Sequence, residues 1–477
     1  MPIPWPPTSI PNEFGIATLS LGSWRHHKLQ PRLEEAAKAG YKWIDLFDEC
    51  WAAYLEEHHL PGDQLWEPTE DNLRVARKLG DLVKSLGMRI ACTQPLRKIE
   101  GIKDPVERRA SLDLVAKRFP FMRAFDTDLV FMCANIRTDD GVTSDLKTVA
   151  CDLAELGDIA RAFAEADGGP MLRIGYEGLS WATRNTWAST WEVVRMANRE
   201  NVGLIVDAFN VLAVEFADPY NPAGHGRLYS TPEESVDVLC ASLAGLVASV
   251  PGDRIFFFQV GDAERMDPKI FRPPTDPEVP ALLPWSRGHR LFPYEPQRGG
   301  YMPVDLVAAA VVATGYQGPM SLEVFNSSLN RPDAGVPSAH ARRGFTGLRK
   351  LADAVPQVPA FWEMWQQGTR RFAGADLTKA ATRLYQHSGH PSGTRVTQEG
   401  FIRNIAWSDL EAVWALSTLS TGANIYRNIR SIYKIWSHTP LRRSPTDRQA
   451  ITCIQRSSAG LEQSTGARKQ VASIAQT

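Results

Sequence analysis

Two short stretches decide the fold prediction: LRIGYE at residues 172–177 and GLIVD at residues 203–207. Each is an apolar run that ends in one acid, and the Trp-rich segment between them, 181–201, has helical spacing. This order is typical of a βαβ unit whose acids lie at the carboxyl ends of its strands, where parallel α/β proteins bind ligands. Each acid could instead cap the helix that follows it. The rest of the chain has to separate these two interpretations.

The same alternation of apolar runs and helical segments extends over most of the chain. Six further strands are predicted at 15–21, 43–47, 89–93, 129–133, 254–260 and 319–324. Segments of helical spacing lie at 31–39, 71–85, 106–118, 146–166, 232–249, 304–314 and 339–354. The runs are mostly continuous rather than alternating, as expected of strands that helices cover. The pattern predicts an α/β fold, a (β/α)8 TIM barrel.

The repeating pattern ends near Val358, and this gives the predicted domain organisation. Residues 1–357 should form the barrel, which would be the catalytic domain. Residues 358–477 are rich in Ser, Thr and Arg and contain no further strand–helix pair. We therefore predict that they form a weakly structured, poorly ordered C-terminal extension.

Composition excludes several classes of protein. The 477 residues carry a formal net charge of -1, which gives no sign of a nucleic-acid or anionic-membrane partner. No apolar run is long enough to span a bilayer, and the Pro-rich start lacks a signal pattern. The six cysteines lack metal-ligand spacing and are interpreted as reduced structural thiols. We expect a cytoplasmic protein with a small-molecule partner, and leave open whether it forms a homo-oligomer.

Polar side chains mark the last four predicted strands. Glu177 and Asp207 end two of them, Gln259 interrupts an apolar run, and Glu323 lies within the last run. A buried Gln or Glu is costly unless it is paired or bound to a metal. Four such side chains on consecutive strands can converge at one mouth of a barrel and suit a hard divalent cation such as Mn2+ or Mg2+. The alternative is a hydrogen-bonded polar layer inside the barrel.

Arginines in two loops could bind an anion at the same mouth. Arg97 follows the third strand, and the long loop after the seventh strand contains WSRGHRLFPYEPQRGGY at residues 285–301. The planar guanidinium grips a carboxylate at two points. Most surface arginines bind nothing in particular, but these lie beside aromatic residues and glycines. We therefore predict a small anionic substrate.

These segments resemble the xylose-isomerase-like barrels and, among them, the 3-dehydroshikimate dehydratases of fungal and bacterial quinate catabolism. The motifs YEGLSWA (176–182) and LIVDAFN (204–210) indicate the superfamily only. The 285–301 loop is more specific and points to the dehydratases. The resemblance extends from about Gly15 to Ala354 and omits the C-terminal extension.

The resemblance implies a site and a reaction. Its metal ligands fall on the four residues found above: Glu177, Asp207, Gln259 and Glu323. Its substrate contacts fall on three residues of the loops: Arg97, Ser286 and Arg290. The implied cofactor is a divalent cation (Mn2+, Mg2+ or Co2+). The implied reaction, that of a hydro-lyase, converts 3-dehydroshikimate to protocatechuate and water.

One position departs from the family pattern. Bacterial relatives carry a His three residues after the metal-binding Asp, whereas this chain has Asn210, which has no useful basicity. His289 or a metal-bound hydroxide could transfer the proton instead. The predicted catalytic residues are therefore Arg97, Asn210 and His289. A sugar or polyol isomerase or epimerase of the same superfamily, or a non-catalytic binding barrel, stays open as an alternative.

Overall fold

The computed structural model describes residues 9–358, in which eight parallel strands close into a barrel. The strands are β1 (Phe14–Ala17), β2 (Trp43–Phe47), β3 (Arg89–Leu96), β4 (Leu129–Cys133), β5 (Arg173–Glu177), β6 (Val202–Asp207), β7 (Ile255–Val260), β8 (Asp262–Ala263), β9 (Arg290–Leu291) and β10 (Met320–Leu322). The barrel runs from β1 to β7 in chain order, and β10 closes it between β7 and β1. β8 and β9 form a separate antiparallel pair. The predicted (β/α)8 barrel is confirmed.

Most helices between residues 9 and 358 cover the outside of the barrel, and one short helix, Leu283–Gly288, lies in the loops at its carboxyl-terminal end. They are α1 (Leu29–Ala39), α2 (Asp48–Glu57), α3 (Glu70–Ser85), α4 (Pro105–Ala116), α5 (Phe119–Phe125), α6 (Leu146–Asp167), α7 (Trp187–Ala197), α8 (Ala208–Glu215), α9 (Pro232–Ser249), α10 (Leu283–Gly288), α11 (Val304–Ala313) and α12 (Val336–Ala354). Within residues 9–358, no helix combines the length and the apolar character that crossing a membrane requires. The predicted C-terminal extension lies outside the described residues apart from Val358.

Local sequence signals explain where the helices begin and end. Thr69 caps α3 by accepting a hydrogen bond from the backbone N–H of Asn72 (3.2 Å), and two acids occupy its first turn. The Trp-rich segment was predicted as a helix over 181–201, but α7 is shorter. Thr186 caps its start in a capping box, and Asn198, with a φ of 50°, ends it.

Short elements are where the sequence prediction differs from the structure. α2 is not among the predicted helices, and it begins at Asp48, directly after β2. The helix predicted over 106–118 is followed by a second helix, α5, and the predicted loop 267–303 contains α10 and β9. Elements of two to seven residues present too little periodicity to be recognised.

The barrel interior has an apolar layer and, nearer the carboxyl-terminal ends of the strands, a polar layer. Gly175 leaves room for Ile205, because a Cβ there would lie 2.4 Å from the Ile205 Cδ1. Two residues further along the same strands come Glu177 and Asp207, and Asp207 lies opposite Gln259 in the ladder. Side chains two apart on a strand share a face. The polar residues therefore extend the interior column to the carboxyl-terminal rim.

Candidate active site

Three buried carboxylates meet at the carboxyl-terminal end of the barrel. Glu177 and Asp207 are the last residues of β5 and β6, and Glu323 follows β10 directly. One oxygen from each lies within 4.8 Å of the others, and the three side chains are almost completely shielded from solvent. Asp207 also caps α8, because its Oδ1 accepts from the Phe209 N–H (2.8 Å). Asp207 therefore both caps the following helix and belongs to the acidic cluster, so the two interpretations of the strand-end acids are compatible here.

Gln259 completes the set of oxygen donors. Its Nε2 donates to Glu323 Oε1 (2.8 Å), while its Oε1 is buried and has no hydrogen-bond partner among the described residues. An amide oxygen without a partner is costly inside a protein. Three carboxylates and this oxygen match the ligands of a hard divalent cation, so the residues present fit a metal.

The pKa values of Glu177 and Glu323 show that it is unfavourable to bury these acids close together. Burial raises the pKa of Glu177 well above its usual value, and Glu323 and Asp207 add to the rise. Burial also raises the pKa of Glu323 to about 7, against the opposing effect of Arg290. Both shifts mean that the cluster resists carrying three negative charges by itself.

Arg290 is the counter-ion of this cluster. Its Nη1 donates to Asp207 Oδ2 (2.9 Å) and to Glu323 Oε2 (3.0 Å), and the side chain is 1% exposed. Its Nε and Nη2 donate to Ser286 Oγ (3.3 and 3.2 Å). The guanidinium carbon also lies 4.0 Å from the centre of the Phe209 ring. Ser286, which is itself fully buried, thus orients Arg290 in this structure.

Asn210 occupies the position where the bacterial pattern has a His. Its Nδ2 donates to Glu177 Oε1 (3.0 Å) and to Asp207 Oδ2 (2.8 Å). Its Oδ1 accepts from the Ser180 N–H (3.0 Å). The amide therefore ties two acids of the cluster to the loop after β5. It can hold these groups in place, but it cannot accept a proton as a base.

A narrow cleft leads from the cluster to the surface. It is lined by Phe47, Gln94, Pro95, Arg97, Cys133, Glu177, Leu179, Trp181, Arg287, Arg290, Glu323 and Phe325. Arg97 stands on one side, with its Nη2 3.8 Å from Glu49 Oε1. The rings of Phe47 and Phe325 meet edge to face, with centroids 5.7 Å apart. The cleft thus combines aromatic walls with guanidinium groups above the acids.

His289 lies in the loop layer beside the cleft. Its Nδ1 is 2.8 Å from Glu264 Oε2, and its ring meets the Phe271 ring edge to face. The side chains that line the cleft, as far as residues 9–358 supply them, do not include His289. The structure thus brings together eight of the nine predicted site residues around the cluster and cleft, and places His289 apart from them.

Two residues of this region were not singled out from the sequence. Asp45 is fully buried below Gln259, and its Oδ1 accepts from Ser321 Oγ (2.6 Å). Burial raises the pKa of Asp45 well above its usual value. The same signal that identified Gln259, a polar residue inside an apolar strand, could have found Asp45. Arg287 lines the cleft next to Ser286, and nothing in the sequence distinguishes it from other loop arginines.

A second, larger cavity of about 780 Å³ lies at the opposite end of the barrel, around the first residues of the strands. Its arginines have local acidic partners. These pairs are Arg89 with Glu13 (2.8 Å), Arg123 with Asp167 (2.6 Å) and Arg173 with Asp128 (2.7 Å). The described residues that line this cavity contain no buried side-chain polar atom that lacks a partner. The arginines of this cavity are therefore paired without a ligand.

Known proteins resemble this chain in both sequence and structure. The 3-dehydroshikimate dehydratase of Neurospora crassa is 32% identical over 350 residues, covering 72% of this chain and 94% of the relative. The 3-dehydroshikimate dehydratase of Pseudomonas aeruginosa is 32% identical over 341 residues, covering 71% of this chain and 41% of the relative. The chain therefore spans almost all of the fungal protein but less than half of the bacterial one.

A solved structure and a family model agree with this relationship. The structure, a xylose isomerase-like TIM barrel/4-hydroxyphenylpyruvate dioxygenase fusion protein, is 28% identical with a TM-score of 0.51, covering 71% of this chain and 42% of the other. The model of the family described as xylose isomerase-like TIM barrel matches residues 33–350. With a closed eight-stranded barrel and this match over most of its length, the chain belongs to the xylose isomerase-like TIM barrel family.

Proposed function

We propose that this protein is a 3-dehydroshikimate dehydratase, a divalent-metal-dependent hydro-lyase that converts 3-dehydroshikimate to protocatechuate and water. The observation that carries the proposal is an acidic cluster beside guanidinium groups, in a chain that aligns with 94% of the Neurospora crassa enzyme of that name. The cluster supplies a place for a metal, and the guanidinium groups supply a place for the substrate's carboxylate.

The proposed metal ligands are Glu177, Asp207, Gln259 and Glu323. A divalent cation bound there, such as Mn2+, Mg2+ or Co2+, would supply Lewis-acid polarisation of the substrate carbonyl and so acidify the neighbouring C–H. Asn210 holds Glu177 and Asp207 through its amide, and Gln259 holds Glu323. Such contacts fix the direction of the ligand oxygens before the ion arrives.

Side chains of the cleft would place the substrate. The ring of 3-dehydroshikimate is flat at its enone and could lie against the aromatic side chains that line the cleft, Phe47, Phe325 and Trp181. Arg97 can reach an anionic group from the loop after β3. Loss of the C4 proton and of the C5 hydroxyl then yields water and a dienone, and transfer of a proton from C6 to the C3 oxygen makes the ring aromatic. Holding C4 in one orientation is the main contribution of these walls.

The reaction also needs a base that accepts the C4 proton, and the sequence suggests His289 for this role. The ion pair or hydrogen bond between His289 and Glu264 orients the imidazole in the loop layer. The acceptor role of His289 stays a prediction.

The proposed setting is the cytoplasm, in which the five free thiols of the described residues would stay reduced.

One assay tests the proposed function. The full-length protein is loaded with Mn2+, Mg2+ or Co2+ and incubated with 3-dehydroshikimate, and the product is identified by mass and by the absorbance of a catechol. We expect protocatechuate to form, EDTA to abolish turnover, and added metal to restore it. A sugar or polyol isomerase, or a non-catalytic barrel, would produce no catechol. Full activity in excess chelator would contradict the metal dependence.

A further inference from the structure

The guanidinium groups of the cleft differ in how many of their donors are already used. Arg290 is committed to the acidic cluster and to Ser286, as described above. Arg97 faces Glu49, although at 3.8 Å the contact is long. Arg287 has neither an ion pair nor a hydrogen bond to any residue between 9 and 358. Of the three guanidinium groups that line the cleft, Arg287 is therefore the one that has no acidic partner among these residues.

Arg287 contacts an aromatic ring rather than an acid. It precedes Gly288, the last residue of α10, and its guanidinium carbon lies 4.6 Å from the centre of the Phe325 ring. A guanidinium stacked on a ring keeps its in-plane donors free. Phe325 also forms part of the cleft wall, so these donors lie at the mouth of the cleft.

Counting the charges of the cleft leads to the same residue. With the three carboxylates of the cluster ionised, a divalent cation and Arg290 together neutralise them. Glu49 balances Arg97. Arg287 then remains as a positive charge without a counterpart in the described part of the chain. The substrate of the proposed reaction brings one negative charge, its ring carboxylate.

We propose that Arg287 binds the carboxylate of the substrate. This assignment rests on the proposed function, and it adds Arg287 to the substrate contacts that the sequence resemblance implies. Arg287 thus determines the specificity for an acid over an uncharged ring of the same shape.

The test compares two pairs of compounds in which a neutral group replaces the carboxylate. 3-Dehydroshikimate and its methyl ester are compared as substrates. 3,4-Dihydroxybenzoate and 3,4-dihydroxybenzamide are compared as ligands by calorimetry, which needs no turnover. The proteins are the wild type, Arg287→Met, Arg287→Lys and Arg97→Met, each in the Mn2+-loaded form. Arg195→Met is the matched control, since Arg195 is exposed in the last turn of α7 at the other end of the barrel.

We expect the wild type to bind the benzoate about tenfold to a hundredfold more tightly than the benzamide, as one charge-assisted contact allows. Arg287→Met should lose most of this preference through weaker benzoate binding, with the benzamide bound as before. Its KM for 3-dehydroshikimate should rise while kcat changes little, because the carboxylate is remote from the reacting carbons. Arg287→Lys should recover part of the preference, and Arg195→Met should match the wild type.

The outcomes separate this inference from the proposed function. An Arg287→Met protein that is active and keeps the wild-type preference for the benzoate would overturn the assignment of Arg287. The same conclusion would follow if Arg97→Met alone removed the preference. A wild type that makes no protocatechuate from 3-dehydroshikimate would overturn the proposed function, whatever the calorimetry shows for the benzoate.

Discussion

The two ends of the barrel differ in how their charges are satisfied. At the amino-terminal end, the larger cavity is bordered by exposed acids and arginines that pair with each other, such as Arg173 with Asp128. At the carboxyl-terminal end, the cleft is narrower, but three acids are buried around one guanidinium and the oxygen of Gln259 has no partner. The size of a cavity is therefore a poor guide to chemistry. Buried polar groups that remain unsatisfied are a better one.

The energetic reason lies in desolvation. Exposed ion pairs contribute only about 0–1 kcal/mol each, so the amino-terminal end can be rearranged at little cost. Removing charges from water costs several kcal/mol per ion unless other groups compensate it. A fold keeps such a cluster only where something is gained from it. The following predictions test whether the two ends differ in this way.

The largest effect is expected for Glu323→Ala. Removing one oxygen donor of the cluster should release the metal and lower kcat/KM for 3-dehydroshikimate by at least about 1,000-fold, since the ion stabilises the transition state by several kcal/mol. Metal content after dialysis and steady-state kinetics measure both effects. Asp128→Ala, which removes an acid at the other end, should retain metal and activity. An active, metal-free Glu323→Ala protein would disprove the assignment.

A smaller effect, on the pH dependence of stability, is expected for Asp262→Asn. Asp262 lies close to the carboxyl-terminal end of the barrel. Asp262 Oδ1 accepts from the N–H groups of Ala263 (2.7 Å), Tyr301 (3.2 Å) and Met302 (3.0 Å). Burial raises the pKa of Asp262 from 3.8 to about 7, although the three N–H groups oppose the rise. The unfolded chain therefore ionises first as the pH rises. The wild type should lose stability from about pH 4 to about pH 7, by up to about 4 kcal/mol for three pKa units.

Asp262→Asn should not show this pH-dependent loss, because the amide does not titrate. Urea denaturation of both proteins in a chelator, at several values between pH 4 and pH 8, gives the difference in the free energy of unfolding. The stability of the wild type relative to Asp262→Asn should be highest near pH 4, because the pH-dependent loss has only begun there, and should fall steadily up to about pH 7. A difference that stays constant over the whole range would show that Asp262 does not titrate as described.

The smallest effect is expected for Arg290→Met, measured as metal affinity. In the metal-free protein, Arg290 donates to Asp207 and Glu323 and so competes with a cation for these oxygens. Without it, Mn2+ should bind about tenfold more tightly, since about 1.4 kcal/mol of stabilisation is removed from the empty site. Calorimetry with Mn2+ measures the change. Arg173→Met should bind Mn2+ as the wild type does, and weaker binding by Arg290→Met would show that Arg290 supports the ligands instead of competing.

Much of the fold could be predicted from the sequence, because long apolar runs alternate with amphipathic segments. β4 begins and ends at the predicted residues, 129 and 133. The acids were found for the same reason: Glu177 and Asp207 follow apolar runs at a fixed position in the repeat. Asp45 carried a similar signal inside β2 and was missed, since one acid in a short strand also fits an exposed position. α2, α5 and α10 were missed because their periodicity is short or is masked by loop residues.

The sequence by itself determined the barrel and the rim to which the four oxygen donors belong, since parallel strands closed into a barrel bring all their carboxyl ends together. Only the tertiary structure decided how the loop residues are used. The antiparallel pairing of β8 with β9 places Arg290 against Asp207 and Glu323, and leaves Arg287 on Phe325 and His289 on Glu264. These contacts join residues 25 to 83 positions apart. Their geometry depends on packing between distant segments, which no local pattern encodes.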